Sequence, residues 1–83
     1  MNDQIILYGT DWCGDCHRAR WFFDNYGIDY TDIDIDSDPS AAAKVIAINQ
    51  GNRTVPTIVF EDGSVLVEPS IQQLMDKMGI KEE

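Results

Sequence analysis

The chain has 83 residues, a formal net charge of −9 and an apolar fraction of 43%. A chain of this length has room for one hydrophobic core, so we expect residues 1–83 to form a single domain. The excess of carboxylates argues against binding to nucleic acid or to anionic membrane surfaces, because both require clustered Lys and Arg side chains.

The start of the chain predicts a cytoplasmic protein. Residues 1–4 contain no basic side chain, and the apolar run after them is too short for a signal peptide or a membrane span. In a reducing cytoplasm, cysteines are usually catalytic or metal-binding. We expect the protein to act there as a monomer.

The first predicted element is a short buried strand over residues 5–8, and the only two cysteines follow it. The sequence Cys13-Gly14-Asp15-Cys16 leads into a helix-like stretch over residues 17–26. The first turn of a helix presents unpaired N–H groups and the positive end of the helix dipole, which favour a thiolate over a thiol. We therefore predict that Cys13 is the accessible nucleophile. Cys16 lies one turn further on nearly the same face, from which it can attack a mixed disulfide on Cys13.

Two other uses of the cysteine pair fit the sequence less well. A structural zinc site needs four ligands, and the chain offers two cysteines and one histidine, His17. A structural disulfide across two intervening residues would constrain little of the unfolded chain. His17 points about 100° away from the cysteine face, so we give it no catalytic role. The Cys-x-x-Cys spacing next to a strand–helix–strand pattern favours redox chemistry.

The next two elements are an amphipathic helix and a strand. The helix after the cysteines is predicted to end at Gly27 and to turn four side chains to the core, namely Ala19, Phe22, Phe23 and Tyr26. Residues 30–35 alternate isoleucine with aspartate, which predicts a strand with one solvated face. The aspartates do not form a calcium loop, because the central glycine and the terminal glutamate are missing. A right-handed crossover makes the first two strands parallel.

A helix, a hairpin and a final helix complete the predicted order. Asp38 is a candidate N-cap, and Pro39 opens a helix that runs to about residue 48. Strands over residues 55–60 and 64–67 are joined by an Asp-Gly turn. The last helix begins with a capping box formed by Ser70 and Gln73. Its apolar face consists of Ile71, Leu74, Met75 and Met78.

This order, with Cys-x-x-Cys after the first strand, resembles the glutaredoxin branch of the thioredoxin-fold family. The residues that carry the resemblance are 8–16 (Tyr-Gly-Thr-Asp-Trp-Cys-Gly-Asp-Cys), Arg18-Ala19, 51–56 (Gly-Asn-Arg-Thr-Val-Pro) and Asp62-Gly63-Ser64. The Asn-Arg-Thr-Val-Pro block, the Asp-Gly-Ser turn and Pro69-Ser70 are most similar to mycoredoxins and related small glutaredoxins. The resemblance implies an α/β, thioredoxin-like fold of glutaredoxin type, with a four-stranded mixed sheet and three helices in the order βαβαββα.

The resemblance also implies a substrate site beside the cysteines. The Val55-Pro56 bond is expected to be cis and to face the pair, which leaves the Val55 backbone free to bind an extended peptide or a thiol cofactor. Trp12 is expected to line this groove, and Arg53 is either a ligand for a substrate carboxylate or a solvated loop cation. The complete set of expected substrate-binding residues is Trp12, Arg53, Thr54, Val55, Pro56 and Ser70.

The function that the resemblance implies is thiol–disulfide exchange, with no tightly bound cofactor and with mycothiol or glutathione as electron donor. Asp11 and Asp15 place negative charge beside the cysteines, and this charge would repel an anionic thiol such as glutathione. Two alternatives stay open. One is a dimer bridged by an iron–sulfur cluster, to which each chain contributes a cysteine. The other is a redoxin that thioredoxin reductase reduces and that serves ribonucleotide reductase.

Overall fold

Strands and helices alternate along the chain in the predicted order βαβαββα. The computed structural model describes residues 4–81. The elements are β1 (Ile5–Gly9), α1 (Gly14–Asn25), β2 (Tyr30–Asp34), α2 (Pro39–Ile48), β3 (Thr57–Val59), β4 (Val65–Val67) and α3 (Ile71–Met78). The strands form one mixed sheet in the order β2-β1-β3-β4. The predicted four-stranded sheet with three helices is therefore confirmed.

Strand β1 is central and pairs on both sides. It runs parallel to β2, with Ile6 opposite Thr31, and antiparallel to β3, with Ile6 opposite Val59. β3 pairs in turn with β4, also antiparallel. Because β1 and β2 are parallel, the loops that follow them leave the sheet at the same edge, and the two cysteines lie on one of these loops.

Several element boundaries differ from the prediction, and three of the differences have a local cause. Helix α1 starts at Gly14 instead of residue 17, because Cys13 acts as its N-cap. β2 ends at Asp34, whose carboxylate accepts hydrogen bonds from the Asp36 N–H and the Ser37 hydroxyl and so turns the chain. β3 is shorter than residues 55–60, since Pro56 has no N–H for the ladder.

The side chains of β1 alternate between the two faces of the sheet, and an apolar cluster covers each face. One cluster contains Ile5 and Leu7 of β1 together with residues of α1, β3 and α3, among them Phe22 and Leu74, which are fully buried. The other cluster contains Tyr8 together with both cysteines and residues of α2. The cysteine pair is thus part of the hydrophobic core on the α2 side.

The prediction that Tyr26 faces the core is wrong. Tyr26 is 42% exposed, and its ring only leans on Phe22, with 4.9 Å between the ring centroids. It is the C-cap of α1, beyond the last helical residue, so the helical periodicity no longer decides its direction. Gly27 follows with φ +65°, which confirms the predicted stop.

The predicted caps of the later helices are confirmed. The Asp38 carboxylate accepts the Ala41 N–H at the start of α2. The Ser70 hydroxyl accepts the Gln73 N–H, and the Gln73 side chain accepts the Ser70 N–H, which completes the capping box of α3. Across residues 4–81, every helix is too short or too polar to cross a membrane.

Candidate active site

Cys13 occupies the N-cap position of α1. Its backbone is extended, with φ −89° and ψ 115°, and its Sγ accepts the Cys16 N–H at 3.2 Å. The sulfur therefore takes the place that a serine or aspartate oxygen takes in an ordinary N-cap. At this position a thiolate faces the unpaired N–H groups and the positive end of the helix.

The Val55 backbone also lies against Cys13. The Val55-Pro56 peptide bond is cis. The Cys13 thiol donates a long hydrogen bond to the Val55 carbonyl oxygen, with 3.7 Å between sulfur and oxygen. Within residues 4–81, the Val55 N–H donates no hydrogen bond. The cis proline and the cysteine pair thus adjoin each other, and one backbone donor beside Cys13 is left for a ligand.

The two cysteines differ in exposure. Cys13 is 9% exposed and Cys16 is completely buried, and both are free thiols. The nucleophile expected to be accessible therefore has only a small opening to solvent. Burial is the main cause that raises the pKa of Cys16 to about 12, and a hydrogen bond with the Cys13 side chain raises it further. The Thr10 N–H and the Arg20 charge oppose this shift.

This difference predicts selective alkylation. Iodoacetamide at neutral pH should modify Cys13 in the folded, reduced protein and leave Cys16 unmodified, because Cys16 is buried and stays protonated well above pH 7. Peptide mass spectrometry after a timed quench measures both sites. In denaturant the two cysteines should react at similar rates. Equal modification of both cysteines in the folded protein would contradict this assignment.

Asp36 connects two of the residues expected to bind substrate, and it was not among the residues predicted for the site. Its Oδ2 accepts the Trp12 indole N–H at 2.8 Å, and its Oδ1 accepts Arg53 Nη2 at 2.7 Å. These two hydrogen bonds lower the pKa of Asp36. The sequence offers one sign of this role. Asp36 lies two residues after the end of β2, at the end of the sheet where the cysteine loop also leaves β1.

The structure brings Trp12, Val55 and Arg53 to the cysteine end of the sheet, and the remaining expected residues are engaged locally. Trp12 is 69% exposed. The Thr54 carbonyl accepts the Thr57 hydroxyl at 2.8 Å. Pro56 is fully buried. The hydroxyl and the N–H of Ser70 both belong to the capping box of α3.

The two aspartates near the cysteines are in different situations. Asp15 forms an ion pair with Arg18 at 2.8 Å, so part of its charge is neutralised. The Asp11 backbone carbonyl accepts a hydrogen bond from His17, and Asp11 itself is exposed. Between residues 4 and 81, no three side chains of His, Cys, Asp or Glu converge as a metal site would require.

Comparison with known proteins identifies the family. Residues 5–66 match the family model for glutaredoxin. A Mycobacterium tuberculosis strain H37Rv protein, named as a candidate glutaredoxin, is 40% identical over 74 residues, which are 89% of this chain and 88% of the relative. Mycoredoxin 1 of Corynebacterium glutamicum is 35% identical over 75 residues, 90% of this chain and 92% of the relative. The structure of the glutaredoxin-like protein NrdH-redoxin from Escherichia coli has a TM-score of 0.69 at 26% identity and covers 95% of this chain and 97% of that one. This chain therefore belongs to the glutaredoxin family and has a thiol redox function.

Proposed function

We propose that the protein reduces disulfides through the Cys13/Cys16 dithiol, with Cys13 as nucleophile and Cys16 as resolving cysteine. The observation that carries this proposal is the position of the Cys13 sulfur. It caps α1, accepts the Cys16 N–H at 3.2 Å and touches the Val55 carbonyl, while Cys16 is buried behind it. Of the two sulfurs, only that of Cys13 combines a helix N-terminus with an opening to solvent.

The reaction has two exchange steps. The Cys13 thiolate attacks one sulfur of a substrate disulfide, so that a mixed disulfide forms and the other substrate sulfur leaves as a thiolate and takes up a proton. The Cys16 thiol then loses its proton and attacks the Cys13 sulfur. This step releases the second substrate thiol and leaves a Cys13–Cys16 disulfide. Two electrons pass to the substrate, and an external thiol or a reductase restores the dithiol.

The groove beside Cys13 is the proposed substrate site. The free N–H and the carbonyl of Val55 can form hydrogen bonds with the extended backbone of a substrate, and Thr54 and Pro56 form the turn that holds Val55 in place. Trp12 offers an exposed ring for apolar contact, and Arg53 offers a cation for a carboxylate. Ser70 completes the proposed set at the start of α3.

A low-molecular-weight thiol is the proposed electron donor, and mycothiol is favoured over glutathione. The likeness to Mycoredoxin 1 across 90% of the chain supports this choice. The formal charge of −9 and the exposed Asp11 also disfavour an anionic thiol. Three features stay predictions from the sequence, namely the cytoplasmic location, the single domain over residues 1–83 and the monomeric state.

The donor assignment is tested by following NADPH consumption with three regenerating systems in parallel. Glutathione with its reductase, mycothiol with its reductase, and thioredoxin reductase alone are each supplied with a mixed disulfide of the corresponding thiol or a model protein disulfide. We expect faster turnover with mycothiol than with glutathione. Reactions without the protein give the uncatalysed background. No turnover above background in any system, by protein whose two thiols titrate as free, would contradict the proposed function.

A redoxin that depends on thioredoxin reductase is the second candidate. The likeness to NrdH-redoxin, described as having a thioredoxin-like activity profile, favours it. In that case thioredoxin reductase alone should support turnover of a protein disulfide such as that of ribonucleotide reductase, and both small thiols should fail. An iron–sulfur-bridged dimer would instead give a brown protein with visible absorption after anaerobic purification.

A further inference from the structure

Arg20 lies beside the buried resolving cysteine, and the reaction proposed above gives it no role. A Cβ placed on Gly9 would stand 2.9 Å from the Cys16 Sγ and 3.1 Å from Arg20 Nη2. Both atoms therefore pack against the same face of Gly9 and are no more than about 6 Å apart, the sum of those two distances. The guanidinium reaches this position from the next turn of α1, since Arg20 follows Cys16 by four residues.

Three hydrogen bonds hold the guanidinium in place. Nε donates to the Asp32 carboxylate at 2.8 Å, Nη2 donates to the Thr10 carbonyl at 3.2 Å, and Nη1 contacts His17 Nδ1 at 3.3 Å. Because arginine only donates, His17 Nδ1 must accept, and its Nε2–H then donates to the Asp11 carbonyl. The Arg20 side chain is only 14% exposed, so its charge is fixed next to the core.

The resolving step requires a negative charge in a place that water does not reach. Cys16 is completely buried, and to react it must carry a thiolate. In the dithiol the Cys13 side chain disfavours that thiolate, whereas the Thr10 N–H and Arg20 favour it. When Cys13 is bound in a mixed disulfide it carries no charge and no longer opposes the Cys16 thiolate, so that the Thr10 N–H and Arg20 are left to counter the effect of burial.

Among residues 4–81, four charged or titratable groups surround Arg20. They are Asp32 and Tyr30 of β2, Cys16 of α1, and His17, whose Nδ1 contacts Arg20 Nη1. Nε donates to the Asp32 carboxylate, whereas Nη2 donates to the Thr10 carbonyl and packs against Gly9 as Cys16 Sγ does. The ion pair with Asp32 anchors the cation and also weakens its field at Cys16.

We propose that Arg20 is a positioning residue for the resolving step, whose fixed charge stabilises the Cys16 thiolate as it attacks the mixed disulfide on Cys13. The inference rests on the proposed dithiol function. In this step the Cys16 proton goes to solvent, the bond between Cys13 and the substrate sulfur breaks, the Cys13–Cys16 bond forms, and the released substrate thiolate takes up a proton. Arg20 itself exchanges no proton and no electron.

The two exchange steps can be timed separately by stopped flow with dithiobis(nitrobenzoate). The attack of Cys13 on the reagent releases one coloured thiolate at a rate that depends on reagent concentration. The attack of Cys16 on the resulting mixed disulfide releases the second thiolate in a unimolecular phase. For Arg20→Met we expect the second phase at neutral pH to slow about three- to tenfold. Loss of the charge should raise the pH at which the second phase reaches half its maximal rate by about one to two units. The slowing is smaller than this shift alone would give, because a more basic thiolate is a stronger nucleophile. The first phase should stay within about twofold of the wild type.

Matched variants separate charge from structure. Lys44→Met removes the same charge from an exposed position on α2 and should leave the second phase unchanged. Arg20→Lys should restore most of the rate, and Arg20→Gln should not. If Arg20→Met does not fold, the comparison of Arg20→Lys with Arg20→Gln decides. The inference would be overturned if Arg20→Met and Arg20→Gln kept the wild-type rate and pH midpoint of the second phase, or if Lys44→Met lost as much rate as they do. A wild-type protein that shows only the first phase would instead refute the dithiol function.

Discussion

Replacement of Cys13 with serine should reduce disulfide exchange to the uncatalysed rate, with small and with protein disulfides alike. Cys13 is the sulfur at the N-cap of α1 and beside Val55, and a serine hydroxyl at that position stays protonated and does not attack a disulfide. The N-cap hydrogen bond to the Cys16 N–H can be kept by serine, so the fold should be unaffected. Turnover assays together with thermal unfolding of Cys13→Ser measure both effects.

The Cys16→Ser variant is the matched comparison. It should still reduce a mixed disulfide with a small thiol, because a second thiol molecule can attack the Cys13 mixed disulfide directly. It should lose the reduction of protein disulfides that depends on the resolving step. Equal losses in both assays, or activity left in Cys13→Ser, would refute the assigned roles of the two cysteines.

Gly9→Ala should destabilise the protein by about 1–3 kcal/mol, as overpacking of a filled core does. Its Cβ would stand 2.9 Å from the Cys16 Sγ, 3.0 Å from Leu7 Cδ2 and 3.1 Å from Arg20 Nη2. Leu7 and Cys16 are fully buried, and Arg20 is held by its hydrogen bonds, so none of these groups can move freely. For a domain of this size the melting temperature should fall by roughly 4–8 °C per kcal/mol.

Gly14→Ala provides the control for that substitution. Nothing lies within 4 Å of the position that its Cβ would take, and Gly14 is the first residue of α1. Alanine there should be neutral or stabilising by up to about 1 kcal/mol, since it is the better helix former. Urea unfolding of both variants measures the difference. A Gly9→Ala protein as stable as Gly14→Ala would show that the space above Gly9 is not filled as described.

Much of the fold could be predicted because it depends on local patterns. The Asp38 N-cap and the capping box of Ser70 with Gln73 involve residues three positions apart, and both are confirmed. The amphipathic period placed Phe22 and Phe23 in the core. The same reasoning failed for Tyr26, because the period applies only while the helix continues.

The candidate site could be predicted only in part. The Cys-x-x-Cys spacing and its place before α1 predicted Cys13 and Cys16 as the reactive pair, because a helix N-terminus acts on the residues next to it. The resemblance, and not the spacing, pointed to Val55 and Pro56. Asp36 was missed because its partners Trp12 and Arg53 are 24 and 17 residues away along the chain.

The sequence by itself determined the order of the elements, the extent of α2 and the start of α3, since each depends on neighbours along the chain, and it predicted redox chemistry at the cysteine pair. The tertiary structure decided what surrounds that pair. The Val55 carbonyl contacts Cys13 across 42 residues, and Gly9 of β1 leaves the space in which Cys16 and Arg20 of α1 pack. Such contacts depend on strand pairing and on which side chains the core excludes from water, and no local pattern encodes either one.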